Sequence, residues 1–190
     1  MLGSSSSVFD ANILPIIDCV NANKVLELGC GQGKLGALLK SANKEIELQA
    51  VQRMFSPDDI NKLRSTGYQE IFDQDILDFF RKGFDNRYDL IIALDVIEHF
   101  LYSDILSIID FSLYRARYMM LVWPSAHPQD ATSHSFDRHR SSFELRDLSN
   151  RFDVVFYCQT GFANLSCLHR YHLVLLRGHM NLEVLAPIKC

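Results

Sequence analysis

The sequence predicts an α/β domain built on a doubly wound, seven-stranded sheet, mostly parallel with a reversed edge strand. Three observations predict it. Short apolar runs alternate with turns and then with helical patterns, the βαβα order of a parallel sheet. One such run passes straight into a turn with glycines at alternate positions and then into a helix. Finally, 190 residues with 48% in the hydrophobic set are enough to bury a full core without metal or disulfide staples.

The elements follow in order. Residues 1–7 are rich in serine and read as a frayed tail, after which an amphipathic helix covers 8–20. Residues 24–28 make the first strand, and 34–42 a helix that gathers Leu35, Leu38 and Leu39 on one face. The second strand covers 46–51. Pro57 behind Ser56 marks a helix start, which gives a helix over 57–65. A short third strand, 69–72, precedes the apolar cluster Ile76, Leu77, Phe79 and Phe80. Residues 88–94 form a buried fourth strand, 103–115 a helix, 118–123 a fifth strand and 142–150 a further helix. The last two strands, 153–158 and 171–176, have no convincing helix between them and therefore pair antiparallel. No internal repeat or linker divides the chain, so 1–190 is expected to be one domain, with 178–190 as a C-terminal extension.

Composition excludes several function classes. The 19 basic against 23 acidic side chains leave a net charge of −4, the wrong sign for electrostatically driven nucleic-acid binding. No apolar run approaches the roughly 18 residues needed to cross a bilayer, and the N-terminus lacks the pattern of a signal peptide. The five cysteines are odd in number and without CxxC spacing, as expected of reduced thiols. A cytoplasmic monomer or homodimer, with no membrane and no nucleic-acid partner, is the expectation.

The most informative stretch is Val25-Leu-Glu-Leu-Gly-Cys-Gly-Gln-Gly33. Gly29, Gly31 and Gly33 remove the side chains that would keep a ligand away from the strand's carboxyl end, and they permit positive φ angles. A dinucleotide turn would be spelled GxGxxG and would face a pyrophosphate. Here an acid, Glu27, precedes the first glycine by two residues; it repels phosphate and suits a cation.

This turn resembles motif I of the class I S-adenosylmethionine-dependent methyltransferases, and the segment Asp95-Val-Ile-Glu-His-Phe100 resembles the sequence that follows their fourth strand. The resemblance runs over nearly the whole chain and implies a Rossmann-like fold. It also implies a cofactor site for S-adenosylmethionine, with S-adenosylhomocysteine as product, formed by Glu27, Gly29, Cys30, Gly31, Gly33, Gln52, Asp75, Ile76 and Asp95. Cys30 is a common small residue at its position and is not expected to be a nucleophile. Asp75 stands where the family bonds the adenine amino group, with Ile76 capping the ring, although an aspartate there also suits a helix N-cap. The family usually has a carboxylate for the ribose hydroxyls at the end of the second strand; here that position, about 20 residues beyond Gly33, is Gln52. A neutral acceptor in place of a charged one costs about 1 kcal/mol, roughly fivefold in affinity, so Gln52→Asp is expected to tighten binding.

Methyl transfer from a sulfonium is an in-line displacement, accelerated mostly by positioning, and a hydroxyl acceptor also benefits from a base. The segment 124–143 is about 20 residues without strand or helix period, a length that usually signals function or disorder. It holds His127, His134 and His139 with Asp130, Asp137, Arg138 and Arg140. His139 is the first choice of base, His99 the second and His134 the third. Arg138, Arg140 and His127 are the expected substrate contacts. A metal held by His134, Asp137 and His139 matches no closed-site spacing, and none is expected. The expected function is methyl transfer to a hydroxyl of a small molecule or glycan intermediate. The alternatives are a non-catalytic scaffold that has kept the fold and an N-methyltransferase.

Overall fold

A computed structural model of the chain describes residues 5–53, 56–83, 86–125, 139–163 and 168–180. Helix α1 (Asp10–Cys19) leads into strand β1 (Lys24–Leu28), and α2 (Lys34–Ser41), β2 (Glu47–Gln52), α3 (Pro57–Ser65), β3 (Tyr68–Asp73), α4 (Ile76–Arg81) and β4 (Tyr88–Leu94) continue the alternation. A single 3₁₀ turn, Ile97–His99, separates β4 from α5 (Tyr102–Leu113), which is followed by β5 (Ala116–Ser125), α6 (Leu145–Ser149), β6 (Val154–Ala163) and β7 (Leu168–Arg177).

The seven strands form one sheet in the order β3-β2-β1-β4-β5-β7-β6. The first five run parallel, and β7 is antiparallel to both β5 and β6. The reversal thus lies in the edge region, with β7 seated one place in and β6 outermost. The central strands are apolar on both faces because both are covered. Leu26, Leu28, Ile91 and Ala93 pack against Phe79, Phe80, Ile105, Ile109 and Leu148 of α4, α5 and α6. Val25, Leu90, Ile92 and Leu94 pack on the other face against Ile13, Ile17, Leu35, Leu39 and Leu63 of α1, α2 and α3. Strands buried on both faces read as continuous hydrophobic runs, which is why 88–94 was legible in the sequence.

Local chemistry sets the helix starts. Ser56 and Asp59 form a capping box around Pro57 at the head of α3. Asp75 caps α4, accepting from the Leu77 N–H at 2.9 Å. In the sheet, β1 has β2 on one side and β4 on the other, so the chain order reverses there and opens a crevice at the strands' carboxyl ends.

Several segments differ from expectation. β5 runs on to Ser125 and takes in Pro124, in a stretch that pairs with β7 beyond the last β4 partner, where a residue without an N–H is tolerated. The helix expected over 142–150 is confined to Leu145–Ser149. Its first residues are extended because the buried Trp123 Nε1 donates to the Phe143 carbonyl at 2.8 Å, and Glu144 then acts as N-cap. β6 and β7 have 10 residues each, longer than expected, because they pair along their whole length, while Gln159, Thr160 and Gly161 broke the apolar signal. The N-terminal tail also departs from a frayed state at residue 5: the Ser6 N–H donates to Asp95 Oδ2, and Lys34 Nζ donates to the Ser6 carbonyl. No helix among the described residues is long and apolar enough to cross a membrane.

Candidate active site

The crevice is walled by the turn after β1. The Gly29 N–H donates to the Val51 carbonyl at 2.8 Å, and Gly33 N–H to the Cys30 carbonyl at 2.8 Å. Gly29 has φ +69°, and a Cβ there would lie 2.6 Å from Val96 Cγ2, so backbone meets side chain directly across β1 and β4. Gly33, at φ +82°, is the left-handed N-cap of α2. The Gly31 N–H donates to Gln52 Oε1 at 2.6 Å, which ties the ends of β1 and β2 together. Gln52 therefore stands beside the turn, with its amide oxygen engaged by it.

Asp95, at the end of β4, has φ +53°, a conformation costly for a residue other than glycine and one that clusters at functional sites. Its Oδ1 is buried without a hydrogen-bond partner, and burial raises its pKa. A buried carboxylate oxygen facing no donor fits a ligand that brings positive charge, as S-adenosylmethionine does with its amino group and sulfonium.

Other expected cofactor residues take different neighbours. Glu27 is only 2% exposed, lies on the face covered by α1, α2 and α3, and accepts from the Tyr68 hydroxyl. Burial pushes its carboxyl up to about 7, against smaller lowering effects of Tyr68 and Lys34. The acid of the motif thus supports the turn from beneath. Tyr68 was not singled out from the sequence; it lies 41 residues away from Glu27, and no local signal points to it. Cys30 is buried, and burial followed by the Glu27 charge pushes its thiol up, which favours the protonated form. Asp75 acts as the α4 cap and pairs with Arg53 at 3.3 Å, while Ile76 packs into the core beside Phe79.

The second part of the site is the 3₁₀ turn after β4. The Glu98 carbonyl accepts from the N–H of Arg140 at 2.7 Å and of Ser141 at 3.3 Å, and Ser141 Oγ donates to the Phe100 carbonyl at 2.7 Å. These bonds pin the segment that follows 126–138 against the turn and bring His139 onto His99, with ring centroids 5.1 Å apart and planes 71° apart. Glu98 joins them: one donor atom each from Glu98, His99 and His139 lies within 4.8 Å of the others. The Glu98 side chain is 2% exposed, its Oε2 has no partner, and burial, then the Asp95 charge, raise its pKa well above the usual carboxylate range.

Of the residues expected to act on the acceptor, His99 and His139 are thus brought together, and Arg140 is exposed beside them. His127, His134 and Arg138 lie outside the described residues, as does Asp137, so the metal set weighed from the sequence is not the trio that meets here. Glu98 was missed as a site residue, although its Glu-His neighbourhood was visible in the sequence. A buried His172 was missed too; it is 1% exposed, stacks on Trp123 with centroids 4.8 Å apart and contacts the Tyr157 hydroxyl at 3.1 Å. A cavity of about 570 Å³ lined by Lys40, Lys44, Arg64 and Thr66 lies at the amino ends of β2 and β3, the opposite end of the sheet from this crevice.

The fold is shared with known proteins. The methyltransferase domain of bacterial CtHen1 superposes with a TM-score of 0.61 at 18% identity, over 92% of this chain and all of that one. TehB from Haemophilus influenzae gives a TM-score of 0.62 at 18% identity over 88% of this chain, which spans 62% of that protein's chain. NodS from Bradyrhizobium japonicum WM9, an N-methyltransferase solved with S-adenosylhomocysteine, gives 0.59 at 18% identity over 90% of this chain and 87% of its own. No curated protein sequence matches the chain. The model of the tellurite resistance protein TehB family matches residues 5–120, a span that includes the glycine turn, Gln52 and the Asp95–Phe100 segment. The chain belongs to the TehB family, among the S-adenosylmethionine-dependent methyltransferases of class I, and carries their seven-stranded fold.

Proposed function

We propose that this protein transfers a methyl group from S-adenosylmethionine to a hydroxyl oxygen of a small molecule or glycan intermediate. The observation that carries the reading is the meeting of His99 and His139 at the carboxyl end of β4, beside the buried acid Glu98 and the half-buried Asp95. The cofactor supplies a methyl group on a positively charged sulfur, activated for displacement. The turn Gly29 to Gly33 offers backbone polar groups at close range, Gln52 offers its amide NH₂ to a ribose hydroxyl, and Asp95 Oδ1 accepts from or neutralises the cationic end.

An alcohol is a poor nucleophile until its proton leaves, whereas a neutral amine attacks with its free lone pair and sheds the proton afterwards. Polar side chains converging beside the crevice therefore serve oxygen more than nitrogen. Nitrogen transfer is the second reading, favoured by the likeness to NodS.

The test is a titration with S-adenosylhomocysteine by calorimetry and thermal shift, on wild type and on Gly31→Arg, which fills the turn. At 100 times its dissociation constant the ligand adds about 2.7 kcal/mol, a rise of roughly 5–11 °C for a chain of this size. Binding by the wild type alone, followed by methylation of hydroxylated rather than amino acceptors, is the expected result. No binding by the wild type would promote the scaffold reading, and transfer to amines alone would promote the nitrogen one.

A further inference from the structure

We propose that Glu98, His99 and His139 form a binding site for a divalent first-row transition-metal cation, whose open coordination positions take the acceptor's hydroxyl. The role toward the acceptor rests on methyl transfer to oxygen; the cation site itself does not.

The donor set is two imidazoles and a carboxylate, a combination suited to Zn²⁺, Co²⁺ or Mn²⁺. One donor atom from each residue already lies within 4.8 Å of the others. Neighbouring donors on a bound cation stand about 3–3.5 Å apart when each bond is about 2.0–2.1 Å, so side-chain rotations of about an ångström close the set. Glu98 supplies the second, independent observation: it is 2% exposed and its Oε2 has no hydrogen-bond partner, whereas most buried polar groups in proteins have one. A cation supplies the missing partner. Asp95, close enough for its charge to act on Glu98, adds further negative potential at the same corner.

The framework around the trio is fixed. Glu98 and His99 share one 3₁₀ turn, and the Glu98 carbonyl holds the backbone of Arg140 and Ser141, so His139 is delivered to the carboxylate by hydrogen bonds that do not use its own ring. His99 and His139 are partly exposed, which gives a cation a way in from solvent. Three protein donors leave positions open, the pattern of sites that bind substrate rather than close a fold. On such a position the hydroxyl releases its proton to water; its oxygen then forms the C–O bond as the C–S bond breaks and that electron pair returns to sulfur, leaving a neutral thioether.

The experiment uses untagged full-length protein stripped with EDTA and titrated with Co²⁺, followed by visible absorption and calorimetry. The expected result is one Co²⁺ per chain with d–d bands, at least tenfold weaker binding in Glu98→Gln and in His139→Ala, and no change in His179→Ala, which lies away from the cluster. Equal thermal midpoints of the stripped wild type and His139→Ala exclude misfolding as the cause. A wild type that binds no Co²⁺, or variants that bind it equally well, overturns the site. S-adenosylhomocysteine is titrated in parallel. If it binds while Co²⁺ does not, and EDTA leaves transfer intact, the cation fails and the methyltransferase reading stands; if Co²⁺ binds while S-adenosylhomocysteine does not, the reverse holds. Loss of transfer with EDTA and its return with Mn²⁺ or Co²⁺ supports the role toward the acceptor.

Discussion

The two halves of the crevice are built in opposite ways. At the end of β1 the crevice wall is backbone, contributed by neighbouring residues between Gly29 and Gly33 and braced from β2 by Gln52. At the end of β4 it is side chain, and its members come from positions 98, 99 and 139. A backbone surface constrains residue type, because only glycine leaves room against Val96 and accepts φ near +69°, so it leaves a trace in the sequence. A side-chain surface constrains only where atoms end up, and a 40-residue separation erases any fixed spacing.

Substitutions can break this contrast, beginning with the largest effect. His139→Ala should lower methyl transfer at least a hundredfold while leaving S-adenosylhomocysteine affinity within about twofold, because it empties the acceptor side and leaves the glycine turn intact. A parallel fall of both, in single-turnover assays and calorimetry, would show that the two halves act as one.

Next, Glu27 probes the support beneath the turn. Its folded pKa of about 7 lies above the ordinary 4.5, so the folded state favours the neutral acid. Its contribution to stability is complete below pH 4.5 and is lost as pH rises through 7, by an amount on the order of 3 kcal/mol. Urea denaturation across this window should show the wild type losing stability relative to Glu27→Gln, whose amide does not ionise. Parallel pH profiles would mean that Glu27 is ionised in the folded protein.

The smallest effect sharpens the contrast on the cofactor side. The Gly31 N–H at 2.6 Å from Gln52 Oε1 shows that reach matters as much as charge. Gln52→Glu keeps the length and adds the charge, and should tighten S-adenosylhomocysteine about fivefold; Gln52→Asp falls short of Gly31 and should gain less. Equal affinities in calorimetry would remove Gln52 from the ribose contacts.

Much of the sheet was legible from apolar runs and punctuation. Strands β1, β2 and β4 and helix α3 were placed to within one or two residues because doubly covered strands are continuously apolar and Ser56-Pro57 announces a helix. The ends of β6 and β7 were not legible, since mutual pairing rather than hydrophobicity carries them through Gln159 to Ala163. In the site, the glycine turn and the Glu-His segment were visible, while the contacts of the Asp75 carboxylate with the Leu77 N–H and Arg53 were not, since Arg53 lies 22 residues away in the chain.

Taken alone, the sequence determined the order of elements, the parallel sheet and the crevice behind a glycine turn, because periodicity and glycine requirements are local properties of the chain. Tertiary structure alone decided that Glu27 is sealed by Tyr68 and that Glu98, His99 and His139 share one corner. Both depend on which segments pack together, and packing is settled by hydrogen bonds such as those from Arg140 and Ser141 to the Glu98 carbonyl, made between backbone groups that every residue possesses.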